Sequence, residues 1–89
     1  MTNTRRLNTQ EIYQAVSPVA ENVLSISKFD DTVTMNSTPT WDSLNHIQLL
    51  AAVERHFGIE ISEDEAFRLT SAERLVRYIQ TTLEKGSPA

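Results

Sequence analysis

With 89 residues and no cysteine, the chain has room for one small domain that must be held by apolar packing, with no disulfide, thiolate metal site or thiol nucleophile. No apolar run approaches the roughly 20 residues that span a bilayer. The net charge of −4 is concentrated in residues 42–65, where six acids face Arg55 alone; this excludes the basic stripe that nucleic acid binding needs and suits a basic protein partner. Arg5 and Arg6 are not followed by an apolar segment of signal-peptide type, so a cytoplasmic monomer is expected.

Residues 1–8 read as a flexible, polar terminus. Asn8-Thr9-Gln10-Glu11 is a helix-capping signal, and Ile12, Val16, Val19 and Val23 follow at spacings of three and four. That pattern predicts a helix with one buried stripe. Pro18 lies inside it and removes one backbone hydrogen bond. Either the helix kinks there, or it ends near Val16 and restarts with Ser17 as cap. The stripe stays in phase, which favours one kinked helix to about Leu24.

Ser25 to Thr40 has no helical period and contains Asp30-Asp31, Asn36-Ser37-Thr38 and Pro39. A loop this long needs anchors, and Phe29, Val33 and Met35 are the candidates. Val33 and Met35 alternate with polar residues, which allows a short extended piece.

The loop ends at Thr40-Trp41-Asp42-Ser43, where a second amphipathic helix begins. Asp42 is suited to the N-cap, and Ser43 then lies in the first turn, where free N–H groups and the helix dipole favour an anion. Ser43 has three possible roles: a modified residue, a nucleophile or part of a cap. The helix runs to about His56 and stops at Phe57-Gly58, with Gly58 as the left-handed cap residue. Ile47, Leu50, Val53 and Phe57 form the expected buried stripe, widened by Leu49. Leu44 and Ala51 lie on another side, beside Asn45, Gln48 and Arg55.

After the alternating Ile59-Glu60-Ile61, Ser62 to Glu65 is a capping box for a short third helix from about Glu63 to Arg68, burying Phe67. Thr70 to Glu73 is a second box, opening a fourth helix with Leu75, Val76, Ile79 and Leu83 inward and Arg74 and Arg77 outward. The expected domain spans residues 9–84, with a flexible tail at 85–89. The predicted fold is an all-α four-helix bundle with a long loop between helices 1 and 2 and a short third helix.

Self-contained catalysis is a poor fit. Asp42 and Ser43 are adjacent and do not face each other on a helix, and a core this small can hardly supply a cleft and an oxyanion hole. His46 and His56 are ten residues apart and cannot share one metal ion. Both are expected to be solvated, with a position for His46 beside an anion on Ser43 as the alternative. Tyr13 and Tyr78 read as half-buried packing residues, and Trp41 as the lid of the loop, with contact to a partner as the alternative.

Asp42-Ser43-Leu44 at the head of an amphipathic helix is followed by Glu54, Phe57-Gly58-Ile59-Glu60-Ile61, the acidic turn from Ser62 to Ala66, and a helix with Tyr78-Ile79. On these residues the chain resembles the acyl carrier proteins, the phosphopantetheine-attachment family, from about residue 9 to residue 83. The resemblance implies a non-catalytic protein whose Ser43 receives 4′-phosphopantetheine from coenzyme A through a dedicated, magnesium-using phosphopantetheinyl transferase. The arm's terminal thiol would carry an acyl group as a thioester, supplying the thiol that the chain lacks. No metal bound to this chain is implied. Partners would be the transferase and acyl-loading, condensing or modifying enzymes, met by a face comprising Asp42, Leu44, Asn45, Gln48, Ala51, Glu54 and Glu60.

The sequence also departs from the family's usual pattern. Thr40-Trp41 replaces the Gly-Ala or similar pair of fatty-acid-synthesis carriers, and Asn45 and Gln48 stand at places where acids are common. Glu54-Arg55-His56 replaces an acidic cluster. The recognition helix is therefore much less negative than usual. These departures point to a discrete, stand-alone carrier for a specialised lipid or polyketide-like pathway. An aminoacyl or peptidyl carrier is the alternative, as is an unmodified interaction module.

Overall fold

The structure is a computed structural model that describes residues 7–85. Its helices are α1 (Thr9–Leu24), α2 (Ser43–Phe57), α3 (Glu63–Ala66) and α4 (Ala72–Glu84), the all-α bundle expected from the sequence. The expectations for residues 1–6 and 86–89 lie outside the described residues. Leu7, expected in a frayed terminus, is half-buried against the core.

Asn8 caps α1 reciprocally: its side chain accepts the Glu11 N–H at 2.8 Å, and the Glu11 carboxylate accepts the Asn8 N–H at 3.0 Å. α1 runs through Pro18 as one helix. Its buried line is Ile12, Val16, Ala20 and Leu24, whereas Val19 and Val23 are only half-buried. The buried residues follow an i+4 row, which slants across the helix surface, and α1 packs on both α2 and α4. That slant carries the contact away from Val19 and Val23. Ser25, in the left-handed conformation (φ 57°), ends the helix.

The long loop is held by side chains and by its own turns. The Glu21 carboxylate accepts the Phe29 N–H at 3.1 Å, and Asp30 accepts both the N–H and the hydroxyl of Thr32. Phe29 is buried, with Val33 and Met35 packed against the core as expected. The extended piece takes the form of an isolated antiparallel bridge between Thr34 and Ser71. The Met35 N–H donates to Thr70 O and the Ala72 N–H to Val33 O, both at 2.9 Å. The loop is thereby fastened to the start of α4. There the cap is Ser71, one residue later than expected, because the Thr70 carbonyl is committed to the bridge and the Ser71 hydroxyl accepts the Arg74 N–H.

Along α4, Ala72, Leu75, Val76 and Ile79 are buried and Leu83 is partly so, while Arg74 and Arg77 stay exposed. α3 has only four residues, none of them buried, and ends before Phe67. Phe67, expected in the core, is 74 % exposed; the buried anchor of this segment is Leu69.

Candidate functional site

The N-terminus of α2 is assembled from three directions. Asp42 is the N-cap: its carboxylate accepts the Asn45 N–H at 2.9 Å and its carbonyl accepts the His46 N–H at 2.8 Å. The N–H groups of Ser43 and Leu44 belong to the first turn, where the helix itself provides no acceptor. Ser43 is exposed and is the first residue of a 15-residue helix. The Asn45 amide donates to Thr40 O at 2.8 Å and closes the turn from Thr40 to Asn45.

His46 corrects the expectation of a solvated histidine. It is 8 % exposed and points inward. The Trp41 indole N–H donates to His46 Nδ1 at 2.9 Å, and His46 Nε2 lies 2.8 Å from Ala66 O. An indole nitrogen can only donate, so Nδ1 must accept, and the proton on Nε2 then donates to the Ala66 carbonyl. With both ring nitrogens engaged and the ring buried, His46 is neither a base for Ser43 nor a partner for an anion there. The nucleophile reading of Ser43 is thereby left without its nearest histidine.

Trp41 packs as the lid of the loop, at 2 % exposure. Its ring lies 6.3 Å from that of Phe29 and 5.9 Å from His46, and Phe29 in turn lies 6.5 Å from Tyr13. A run of rings thus crosses from α1 to the start of α2, at the centroid spacings where aromatic pairs attract.

The buried stripe of α2 is His46, Leu49, Leu50 and Val53, with Phe57 half-buried. Ile47, expected inside, is 65 % exposed beside Leu44 at 63 %. Leu44 and Ile47 are three apart and therefore neighbours on the helix surface. They and Phe67 are the exposed large hydrophobic residues of the described chain. Sequence reasoning missed His46, Ile47 and Phe67. A signal was available for the first two: His46, Leu49, Leu50, Val53 and Phe57 satisfy the i, i+3, i+4, i+7, i+11 pattern better than a stripe starting at Ile47.

The other expected partner residues divide in two groups. Gln48, Ala51 and Glu60 are exposed. Glu54 is half-buried, and its carboxylate accepts the Ile61 N–H at 2.7 Å, which holds the chain between α2 and α3. Glu54 is therefore a structural fastening. Ala51, Glu54 and Glu60 share an open groove with Ile59, Ile61 and Tyr78. Tyr78 is half-buried and donates its hydroxyl to Glu60 O at 3.2 Å. His56 is exposed, with its ring edge-on to Phe57. Among the described residues no group of three His, Cys, Asp or Glu side chains could hold a metal, and no helix is long and apolar enough to cross a membrane.

Two comparisons bear on this arrangement. A family model described as "Phosphopantetheine attachment site" matches residues 41–79, from Trp41 at the head of α2 to Ile79 in α4. A small helical bundle matched over that segment defines a carrier domain for a covalent 4′-phosphopantetheine arm. The acyl carrier protein of Guillardia theta is 31 % identical over 75 residues, covering 82 % of this chain and 93 % of that protein. That of Campylobacter hominis is 35 % identical over 74 residues, covering 79 % and 91 %. A mitochondrial acyl carrier protein of Dictyostelium discoideum is 36 % identical over 64 residues, and the match spans 53 % of its length. The chain belongs to the acyl carrier protein family. It is a carrier that serves enzymes, among them a phosphopantetheinyl transferase, and is not itself a catalyst.

Proposed function

We propose that Ser43 bears the 4′-phosphopantetheine arm and that the protein carries acyl intermediates for a specialised lipid or polyketide-like pathway. The observation that carries the first part is the exposure of Ser43 at the start of α2, with capping delegated to Asp42. Of the other hydroxyls of the matched segment, Ser62 and Ser71 each cap a helix, Tyr78 donates to Glu60 O, and Thr70 is half-buried. A phosphodiester on Ser43 would meet the first-turn N–H groups and the positive end of the helix dipole, so these residues suit the group chemically. In the transfer, Ser43 Oγ bonds to the pantetheine-side phosphorus of coenzyme A as the pyrophosphate P–O bond breaks. Adenosine 3′,5′-bisphosphate leaves, and a base of the transferase takes the hydroxyl proton. When attached, the arm supplies a terminal thiol that carries acyl groups as thioesters.

The specialised pathway rests on the partner face. The one acid of α2, Glu54, is taken up by Ile61, and Asn45 and Gln48 are uncharged. Beyond Ser43, α2 exposes Leu44, Ile47, Gln48 and Ala51, then Arg55 and His56 in its last turn, with Glu60, Glu63 and Asp64 exposed beyond it. Enzymes selecting for a strongly acidic helix would find few charges to pair with here. The same reading places the protein in the cytoplasm as a monomer, and the net charge of −4 suits the latter by mutual repulsion. The experiment is intact mass after incubation with coenzyme A, magnesium and a broad-specificity phosphopantetheinyl transferase. The wild type is expected to gain one arm and Ser43→Ala none. An unmodified wild type would make it an interaction module only, and an equal gain by the variant would put the arm on a residue other than Ser43.

A further inference from the structure

α3 presents a problem of placement. It is four residues long and buries none of them fully; Ala66 alone packs, part-buried, against the core. The segment around it is strapped at both ends by side chains of α2. At the entry, Glu54 accepts the Ile61 N–H at 2.7 Å; at the exit, His46 donates to Ala66 O at 2.8 Å. Leu69, 4 % exposed, anchors the chain beyond. The exit strap is conditional on the tautomer of His46. Only a ring protonated at Nε2 can donate to Ala66 O, and the Trp41 indole N–H selects that tautomer by occupying Nδ1.

The position of this strap matters for the site. Ser43 has no recognition chemistry of its own, so an enzyme acting on it must read its surroundings. Within one turn those are Leu44 and Ile47, and across the strap the 66–67 peptide that leads to exposed Phe67. His46 sits between Leu44 and Ile47 in sequence but on the opposite, buried side of the helix. It is thus the link between the helix start and the neighbouring segment.

We infer that His46 is a positioning residue: in the tautomer set by Trp41, it holds the exit of α3 against the start of α2 and so builds the surface by which a transferase recognises Ser43. This rests on Ser43 being the modified residue. The strap acts on encounter rather than on the chemical step, so losing it raises KM and spares kcat.

The test compares wild type, His46→Ala, His46→Gln and Trp41→Phe as whole chains, with a phosphopantetheinyl transferase and coenzyme A. One hydrogen bond of ordinary net strength corresponds to a change of about five-fold. His46→Ala is expected to raise KM for the carrier by about that factor with kcat within about two-fold. Amide exchange at Ala66, Arg68 and Leu69 should quicken while α1 and α4 keep their protection. His46→Gln, whose amide both accepts and donates, should recover most of the KM. Trp41→Phe keeps a buried ring but frees Nδ1; it gives a smaller KM rise and covers the case in which His46→Ala does not fold. In the wild type, ring nitrogen NMR shifts should report a neutral Nε2–H imidazole. Unchanged KM in folded His46 and Trp41 variants of a wild type that does become loaded would overturn the inference alone. Faster exchange throughout α1 and α4 in parallel with KM would also overturn it, reducing His46 to a core residue. A wild type that gains no arm would remove the attachment reading and this inference together.

Discussion

A phenol, a serine and a histidine show how little residue identity says until its surroundings are known. Ser43 is available because Asp42 takes the capping role, and His46 is unavailable as a base because Trp41 and Ala66 occupy both its ring nitrogens. Tyr13 is a third case. It is half-buried beside the core, and burial, followed by the carboxylates of Asp31, Glu73 and Asp30, raises its pKa above the ordinary 10, with Arg77 pulling weakly the other way. The folded protein therefore keeps this proton at a pH where the unfolded chain has begun to release it. Its contribution to stability is fully present below pH 10 and is lost as pH rises through the folded value. In Tyr78→Phe, which leaves Tyr13 as the only tyrosine, ultraviolet titration is expected to show ionisation above 10 while the protein is folded, and at about 10 in denaturant. Equal values in the two states would mean that the ring is more solvated than its packing indicates.

At the scale of an element, α2 shows the consequence of a rotation by one residue. Its inward stripe runs through His46, Leu49, Leu50 and Val53, and this leaves Leu44 and Ile47 outside. Leu49→Ala should cost about 2–5 kcal/mol in urea unfolding, since it empties a fully buried site. Ile47→Ala should stay within about 0.5 kcal/mol. Phe57→Ala should fall below the about 3–5 kcal/mol of a fully buried ring, because only part of Phe57 is covered. If Ile47→Ala cost more than Leu49→Ala, the stripe would be as the simplest reading of the sequence had it. The helix ends at Gly58 with φ 67°, a conformation that costs a residue with a Cβ about 1–2 kcal/mol even though the space is open.

For the whole molecule the organising fact is that charge and apolar surface are separated. Past its cap Asp42, α2 presents apolar and neutral side chains near Ser43, and a group of exposed carboxylates lies beyond its far end, at Glu60, Glu63 and Asp64. Under the proposed function, association with a basic partner should then divide into two parts. The acidic segment steers encounter, and Leu44 with Ile47 governs dwell time. Raising salt from about 0.01 M to about 1 M, where the Debye length falls from about 30 Å to about 3 Å, should lower the association rate and leave dissociation nearly unchanged. Leu44→Ala should do the reverse. Stopped-flow or surface-binding kinetics with the transferase would show it; a salt effect confined to dissociation would contradict the division.

Much of this was legible in the chain itself. The Asn8-Glu11 box, Asp42 before Ser43, Gly58, and the loop chemistry of 25–40 are local signals, decided by backbone hydrogen bonds within a few residues, and they placed α1, α2 and the serine at the start of α2. Other features were settled by contacts distant in sequence. The bridge from Thr34 to Ser71 moved the α4 cap by one residue, and the slanted packing of α1 chose Ala20 and Leu24 over Val19 and Val23. Phe67 is exposed because α3 stops after a single turn, leaving Leu69 to reach the core. His46 is the clearest instance, since its two partners lie five and twenty residues away. The sequence alone determined that a serine stands at an anion-ready helix start. Only the tertiary structure decided what that start is fastened to, because a side chain's burial depends on which distant groups can satisfy its polar atoms.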